Sequence, residues 1–339
     1  VDVMWHMIKD KQLRNNPVNP DYEAHMADYE QLLPVYSTDQ PEVHDIVRKM
    51  RVVLDGYDER LMIGEIYLPI HKLVTYYGIN EKEAHLPFNF LLLSQSWEAP
   101  KISAAIDEYE AAIPEGGWPN WVLGNHDQPR LSSRIGIQQA RVAALMLLTL
   151  RGTPTIYYGE EIGMHDVPIP KDEVQDPQGL NMPGKNLSRD PARTPMQWNS
   201  DKHAGFTGND TTPWLRLARS APRFNVEKQK EDTHTMLSFY KRLIELRQKE
   251  ASLMHGSYIP VFANNQLLAY QRYQQGSDCF LIVLNMSHRP CYFTPDDLSV
   301  KGTIEIATHV EIEGNRVEGT LNLYGDEGLV IRLDAYENA

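Results

Sequence analysis

Three short apolar runs in this chain end in the same way. Leu61-Met-Ile-Gly64 runs into Glu65, Trp121-Val-Leu-Gly124 into Asn125-His126-Asp127, and Thr153-Pro-Thr-Ile-Tyr-Tyr158 into Gly159-Glu160-Glu161. Leu86 to Leu91 reads as a further run of this type, and Val1 to Met4, carrying Asp2, as the end of another. Between them the periodicity turns helical. Val43, Ile46, Val47, Met50 and Leu54 recur at helical spacing until Asp55-Gly56 stops them. Ile102 to Ile113 puts Ile106 and Tyr109 on one face, and Ile137 to Leu150 is strongly apolar. Alternating strand and helix demand parallel strands joined by right-handed crossovers. Polar groups at the C-terminal tips of such strands are where α/β barrels build their active sites. A helix cap explains one Asn or Asp after a strand. It does not explain an adjacent Asn-His-Asp with Arg130 close behind.

The rest of the chain has a different texture. Ile8 to Pro41 and Pro168 to Trp214 are rich in Pro, Asp and Asn and read as long surface excursions. Asp232 to Lys249 is an amphipathic helix. Beyond Ser257 come short alternating runs, at Leu267 to Tyr273, Cys279 to Asn285, Thr303 to Ile306 and Gly328 to Leu333, which point to an antiparallel β domain. With 33 basic against 46 acidic residues the net charge is −13, which sets the chain against nucleic acid and anionic membranes as main partners. No apolar run reaches membrane-spanning length. Cys279 and Cys291 are too few for a disulfide scaffold or a four-cysteine zinc site. Ordinary buried thiols are expected there, with a single bridge between neighbouring strands left open.

Asp2, Glu65 and Asp127 hold equivalent places at strand tips, and in a barrel such places converge on one mouth. A retaining glycosidase needs a carboxylate nucleophile and a carboxylic acid about 5–5.5 Å away. Glu65, behind Ile63 and Gly64 and beside other acids, suits the acid that must keep its proton. Singly, each residue has a plainer explanation: Glu65 could pair with a cation, and a lone histidine such as His126 is more often packed than catalytic. The constellation carries the reading.

Val1-Asp2-Val3, Ile63-Gly64-Glu65 and Gly124-Asn-His-Asp127 resemble successive catalytic regions of the α-amylase family of retaining glycoside hydrolases. Gly152 to Glu160 is similar to that family's eighth-strand signature. Ser188-Arg-Asp-Pro-Ala-Arg-Thr-Pro-Met-Gln-Trp198, followed by His203-Ala-Gly-Phe-Thr207, resembles its α-glucosidase and oligo-1,6-glucosidase branch. The resemblance implies the C-terminal half of a (β/α)8 TIM-type barrel over residues 1–256, from the end of the fourth strand onward. An antiparallel β-sandwich domain would follow over 257–339. It implies Asp2 as nucleophile, Glu65 as general acid and base, and Asp127 as stabiliser of the oxocarbenium-like transition state. His126 would bind the same sugar, and Arg189 would close the pocket around the non-reducing glucose. Arg130 and Tyr67 would lie toward the aglycone, and Glu160 and Trp198 would be structural. Val3, just after the nucleophile, leans toward α-1,6 linkages, while Val1 to Asp10 also resembles enzymes favouring short α-1,4 substrates.

The implied partners are small oligosaccharides such as maltose, isomaltose or a sucrose-like sugar, in a cytoplasmic enzyme whose oligomeric state stays open. No cofactor or metal is expected in this chain, because the family's usual calcium site would lie in an N-terminal half that the resemblance implies is missing. The expectation is therefore an exo-acting α-glucosidase fragment that is inactive alone. Two alternatives stand beside it. One is a transglucosylase or a trehalose- or sucrose-active isomerase of the same family. The other is a non-catalytic relative associated with a transporter or serving as a receptor.

Overall fold

The computed structural model describes residues 1–295 and 300–335. The chain divides into two compact units. The first comprises Val1–Phe90, Glu108–Trp121 and Pro170–Arg189, and the second Leu91–Asp107, Val122–Ile169 and Asp190–Ala339.

The first unit is built on parallel backbone pairing. Strands β1 (Ile63–Gly64) and β2 (Leu86–Pro87) run parallel, with Ile63 opposite Leu86 and Gly64 opposite Pro87. Val1 extends the ladder on the far side of β1: its amino group donates to the Ile63 carbonyl at 2.7 Å, and the Glu65 N–H donates to the Val1 carbonyl at 2.9 Å. Asn89 continues past β2 in a parallel bridge to Trp121, within strand β3 (Asn120–Val122). Residues 1, 63–64, 86–89 and 120–121 thus lie side by side in chain order, all parallel. That is the alternating pattern read from the sequence. The helix Val43–Leu54 precedes β1 and buries Val43 and Val47. At Gly64 a Cβ would meet the Met4 thioether at 2.8 Å, so glycine lets Met4 pack directly on the strand.

Strands in this unit are shorter than the apolar runs suggest. At Leu91, where the second unit begins, Leu91–Ser94 is a short helix, and a strand through Leu91 was the expectation. Burial alone does not separate a short buried helix from a strand.

In the second unit Leu131–Thr149 is two helical stretches that meet at Gly136, whose φ 79° and ψ 157° are not helical, so the longer one starts at Ile137 as expected and residues 131–135 form a short helical stretch before it. Strand β4 (Thr153–Thr155) follows it. The helix Met236–Lys249 is capped by the Thr235 side chain. Its buried Arg247 donates from Nη1 to the Leu148 and Leu150 carbonyls at 2.8 and 3.0 Å, fixing the turn into β4.

The last part of this unit is antiparallel. Strands β5 (Ser257–Ala263), β6 (Leu267–Tyr273), β7 (Phe280–Asn285), β9 (Lys301–Ala307), β10 (Arg316–Glu318) and β12 (Gly328–Leu333) form a sheet in the order β10-β9-β12-β7-β6-β5. Strands β8 (Cys291–Phe293) and β11 (Leu321–Leu323) form a second, two-stranded sheet. Leu281, Val283 and Ile331 of the first sheet share one core with Phe293, Leu321 and Leu323 of the second, so the arrangement is a sandwich. The other face of β6 lies under the helix Leu131–Thr149, where Tyr270 Oη and Thr149 Oγ1 are hydrogen-bonded at 2.6 Å. Covered on both sides, β7 is buried at every residue and reads as an unbroken apolar run.

Strand β5 escapes sequence reading because it holds Pro260. As the edge strand, with a register shift between Pro260 and Phe262, it tolerates the missing N–H. Cys279 and Cys291 are buried free thiols. Among the described residues no helix is long and apolar enough to cross a membrane.

Candidate active site

The hydrogen bonds of Val1 place it directly opposite Gly64, so Asp2 and Glu65 are the next residues along adjacent backbone segments. Glu65 also grips the turn after Asp2. Its Oε2 accepts the Val3 N–H at 2.9 Å, and its carbonyl accepts the Met4 N–H at 3.1 Å. Val3 pays a conformational penalty there, with φ 38° and ψ 49° in the left-handed region. A β-branched residue with positive φ is a true outlier, and such strain gathers at functional sites. Asp2 stands exposed and Glu65 half-buried.

Tyr67 emerges two residues after Glu65. Its ring stacks on Phe90 (centroids 4.3 Å apart, 13° between planes) and tilts against Trp5 at 5.8 Å. It is held as a rigid, partly exposed aromatic surface. Arg189, in the same unit, is committed to Asp176: Nη2 donates to Oδ1 at 2.7 Å, and the backbone N–H to Oδ2 at 2.8 Å. Burial pushes the Asp176 carboxyl upward, but the Arg189 bonds outweigh it and hold it below the ordinary aspartate value.

In the second unit the tip after β3 is organised by an Asx turn, with Asn125 Oδ1 accepting the Asp127 N–H at 3.0 Å. The arginine that meets Asp127 is Arg193. Its Nη2 donates to Asp127 Oδ1 at 2.7 Å, and its Nε donates to the His126 carbonyl at 2.8 Å. His126 Nε2 lies 3.4 Å from the same Asp127 oxygen. Sequence reading passed over Arg193. Its signal was present, since Ser188 to Arg193 carries two arginines four residues apart, but nothing in the motif said which one would reach which carboxylate.

Arg130 is buried beneath this tip. Its Nη1 donates to the Tyr158 carbonyl at 2.6 Å, its guanidinium lies 4.6 Å from the Tyr158 ring centre, and its backbone N–H donates to Asp166 Oδ1 at 2.9 Å. It ties the Asp127 turn to the segment after β4. Glu160 is also buried there, and burial pushes its carboxyl up to about 8. A Cβ on Gly124 would sit 2.0 Å from Glu160 Oε1, so glycine at that place admits the acid. Among the described residues no group of three or more His, Cys, Asp or Glu side chains is placed to hold a metal ion, and no step below passes through a metal.

Maltase A1 of Drosophila melanogaster is 35% identical over 322 residues, covering 91% of this chain and 54% of the relative. The human amino acid transporter heavy chain SLC3A1 is 31% identical over 346 residues, covering 97% of this chain and 48% of its own length. Among solved structures, the alpha-glucosyl transfer enzyme XgtA superposes with a TM-score of 0.86 at 27% identity, covering 98% of this chain and 63% of that one. The chain spans about half the length of the curated relatives it matches. The likeness extends to the TIM-barrel fold of the catalytic domain. The family model described as "Alpha amylase, catalytic domain" matches residues 1–256, and the chain belongs to the alpha-amylase family.

Proposed function

We propose that the protein is a retaining, exo-acting α-glucosidase that releases terminal α-1,4- or α-1,6-linked glucose from short oligosaccharides. In this reading residues 1–256 correspond to the barrel from the end of the fourth strand onward, and 257–339 to the C-terminal β domain. The observation that supports the reading is the register of Val1 with Gly64, which makes Asp2 and Glu65 the next residues on adjacent backbone segments. Asp2 attacks the anomeric carbon as Glu65 protonates the departing glycosidic oxygen, leaving a glucosyl ester on Asp2. Glu65, now a carboxylate, takes a proton from water. That water opens the ester and restores both groups. Asp127, held by Arg193 and flanked by His126, is assigned to the positive charge that grows on the sugar ring in both steps. Arg189 and Tyr67 are assigned to the sugar pocket, and Arg130 to support of the Asp127 turn.

Trapping tests the reading in the intact enzyme. α-Glucosyl fluoride needs no proton on its leaving group, so Glu65→Gln should still form the glucosyl ester and then stall. Peptide mass spectrometry should find the added hexose on Asp2; a hexose on any other residue, or none, overturns the assignment. With Asp2 exposed to solvent, the 339-residue chain by itself is expected to turn over p-nitrophenyl α-glucoside little.

A second reading is favoured by the likeness to an alpha-glucosyl transfer enzyme over 98% of the chain. There a sugar hydroxyl replaces water in the second step. Product analysis at high maltose separates the two, since transfer yields longer or rearranged disaccharides and hydrolysis yields glucose. A role as a transporter heavy chain alone, as in the name of that relative, leaves these acids without a purpose.

A further inference from the structure

Within the second unit, the segment Tyr157-Tyr158-Gly159-Glu160 bears on the surroundings of Asp127 in two ways. Through its hydroxyls it holds the loop that carries Arg193. The Tyr157 hydroxyl donates to the Ala192 carbonyl at 3.1 Å, and the Tyr158 hydroxyl to the Thr194 carbonyl at 2.6 Å. Those two residues flank Arg193, whose guanidinium holds Asp127. Through its acid the segment backs the turn itself. The buried Glu160 carboxyl stands against Gly124, the residue just before the Asn125–Asp127 turn, with Oε1 in the space that a side chain there would need. Glu160 Oε2 accepts the Tyr157 N–H at 3.3 Å. One carboxyl thus supports the backbone that presents Asp127 and, by way of Tyr157, the backbone that presents Arg193.

The surroundings suit Glu160 as a neutral acid. Arg130 and Arg134 face it, with Glu161 and Tyr157 from its own segment and Tyr240 from the helix Met236–Lys249. Each arginine grips backbone: Arg130 Nη1 donates to the Tyr158 carbonyl at 2.6 Å, and Arg134 Nη2 to the Leu123 carbonyl. Among the described residues Glu160 Oε1 accepts no hydrogen bond, and Arg130 Nε and Nη2 donate none. Burial keeps the proton on the acid up to about pH 8. A carboxylate in that place has a high desolvation cost, and the relief within reach is a guanidinium. Drawing Arg130 or Arg134 toward Glu160 loosens its hold on Tyr158 or on Leu123, which precedes Gly124. Either way the Asp127 turn loses an anchor.

We propose that Glu160 is a positioning residue for Asp127: with its proton in place the turn and Arg193 are held, and release of that proton to solvent withdraws Asp127 from the reacting sugar. This rests on the assignment of Asp127 to the charge that grows on the sugar ring. Glu160 acts through the turn and takes no part in the bond changes.

The test is the alkaline side of the pH profile of the intact enzyme on α-glucosyl fluoride. Its leaving group needs no proton, so ionisation of Glu65 does not shape kcat/KM there. In the wild-type enzyme kcat/KM should fall about tenfold from about pH 7 to about pH 9. Glu160→Gln keeps the shape and has no proton to lose, so its values at those two pH should agree within about twofold. Glu160→Asp restores an ionisable carboxyl drawn back from Gly124, and the fall should return with a shifted midpoint. A role in stability alone would change the melting temperature of Glu160→Gln and leave the fall in kcat/KM where it was. Wild-type turnover with no alkaline fall, or the same fall in folded Glu160→Gln, overturns the inference. Should the glutamine variant fail to fold, an unshifted midpoint in Glu160→Asp overturns it instead. No turnover of the fluoride by the wild-type enzyme at any pH overturns the glucosidase reading, and this inference with it.

Discussion

The strand tips at Asp2 and Glu65 and the sheet around β7 are built from the same kind of apolar strand, yet they use it in opposite ways. Every residue of β7 is buried, its backbone is paired on both sides, and its neighbours form one continuous core. At the tips the ladder lasts only two or three residues before it opens. There Val3 adopts a left-handed conformation, a carboxylate replaces a carbonyl as acceptor for its N–H, and Asp2 is exposed. The sheet puts its apolar area into stability. The tips give up pairing and burial to hold acids in place, as a site must if charged groups are to meet a substrate.

Substitutions should separate the two regions cleanly. Asp2→Asn should lower kcat of the intact enzyme about 10⁴-fold or more while leaving the melting temperature within a degree or two. A loss of less than tenfold would break the comparison at its functional end. Ile282→Ala, in the middle of β7, should cost about 2–5 kcal/mol in denaturant unfolding and leave kcat/KM of the folded protein unchanged. A catalytic defect there would mean that the sheet is not merely a support. Arg193→Ala should reduce kcat/KM about 10–100-fold, with partial recovery in Arg193→Lys, because it removes a charged partner of Asp127.

Glu160 sharpens the comparison through pH. Its folded carboxyl titrates at about 8, above the ordinary 4.5. The folded state therefore keeps a proton that the unfolded chain has released. Stability from this group is complete below about 4.5 and is lost as pH rises toward 8, by at most about 1.4 kcal/mol per pH unit. Glu160→Gln should flatten that part of the stability profile, and an unchanged slope would count against the buried proton. The smallest effect is expected at Val3. Val3→Gly should relieve the positive φ and raise stability by about 1 kcal/mol or less. If the turn is strained for the sake of geometry, kcat should fall at the same time.

Much of this organisation is legible in the chain. The apolar runs, the acids at their ends, the helix Val43–Leu54 and the strands β6, β7 and β12 follow from periodicity, because burial on one or both faces leaves a direct mark on residue type. Elements that follow other rules were not legible. Strand β5 contains a proline that only its edge position makes acceptable. Strands β8 and β11 have three residues each, too few to show a period. The short helical stretch at 131–135, cut off from the next helix by the non-helical Gly136, is too brief to show a period.

At the candidate site the division is sharper still. The residue types at the strand tips belong to the sequence alone: acids and a histidine stand where buried strands must surface, and local chemistry puts them there. Which arginine serves which carboxylate was decided by the folded chain, which gave Arg189 to Asp176 and Arg193 to Asp127. So was the register of Val1 with Gly64, 63 positions apart in the chain. An ion pair or a strand register depends on where two distant backbone segments end up to within an ångström or two. Patterns of hydrophobicity constrain which face is buried, and only packing and hydrogen bonding select the partner.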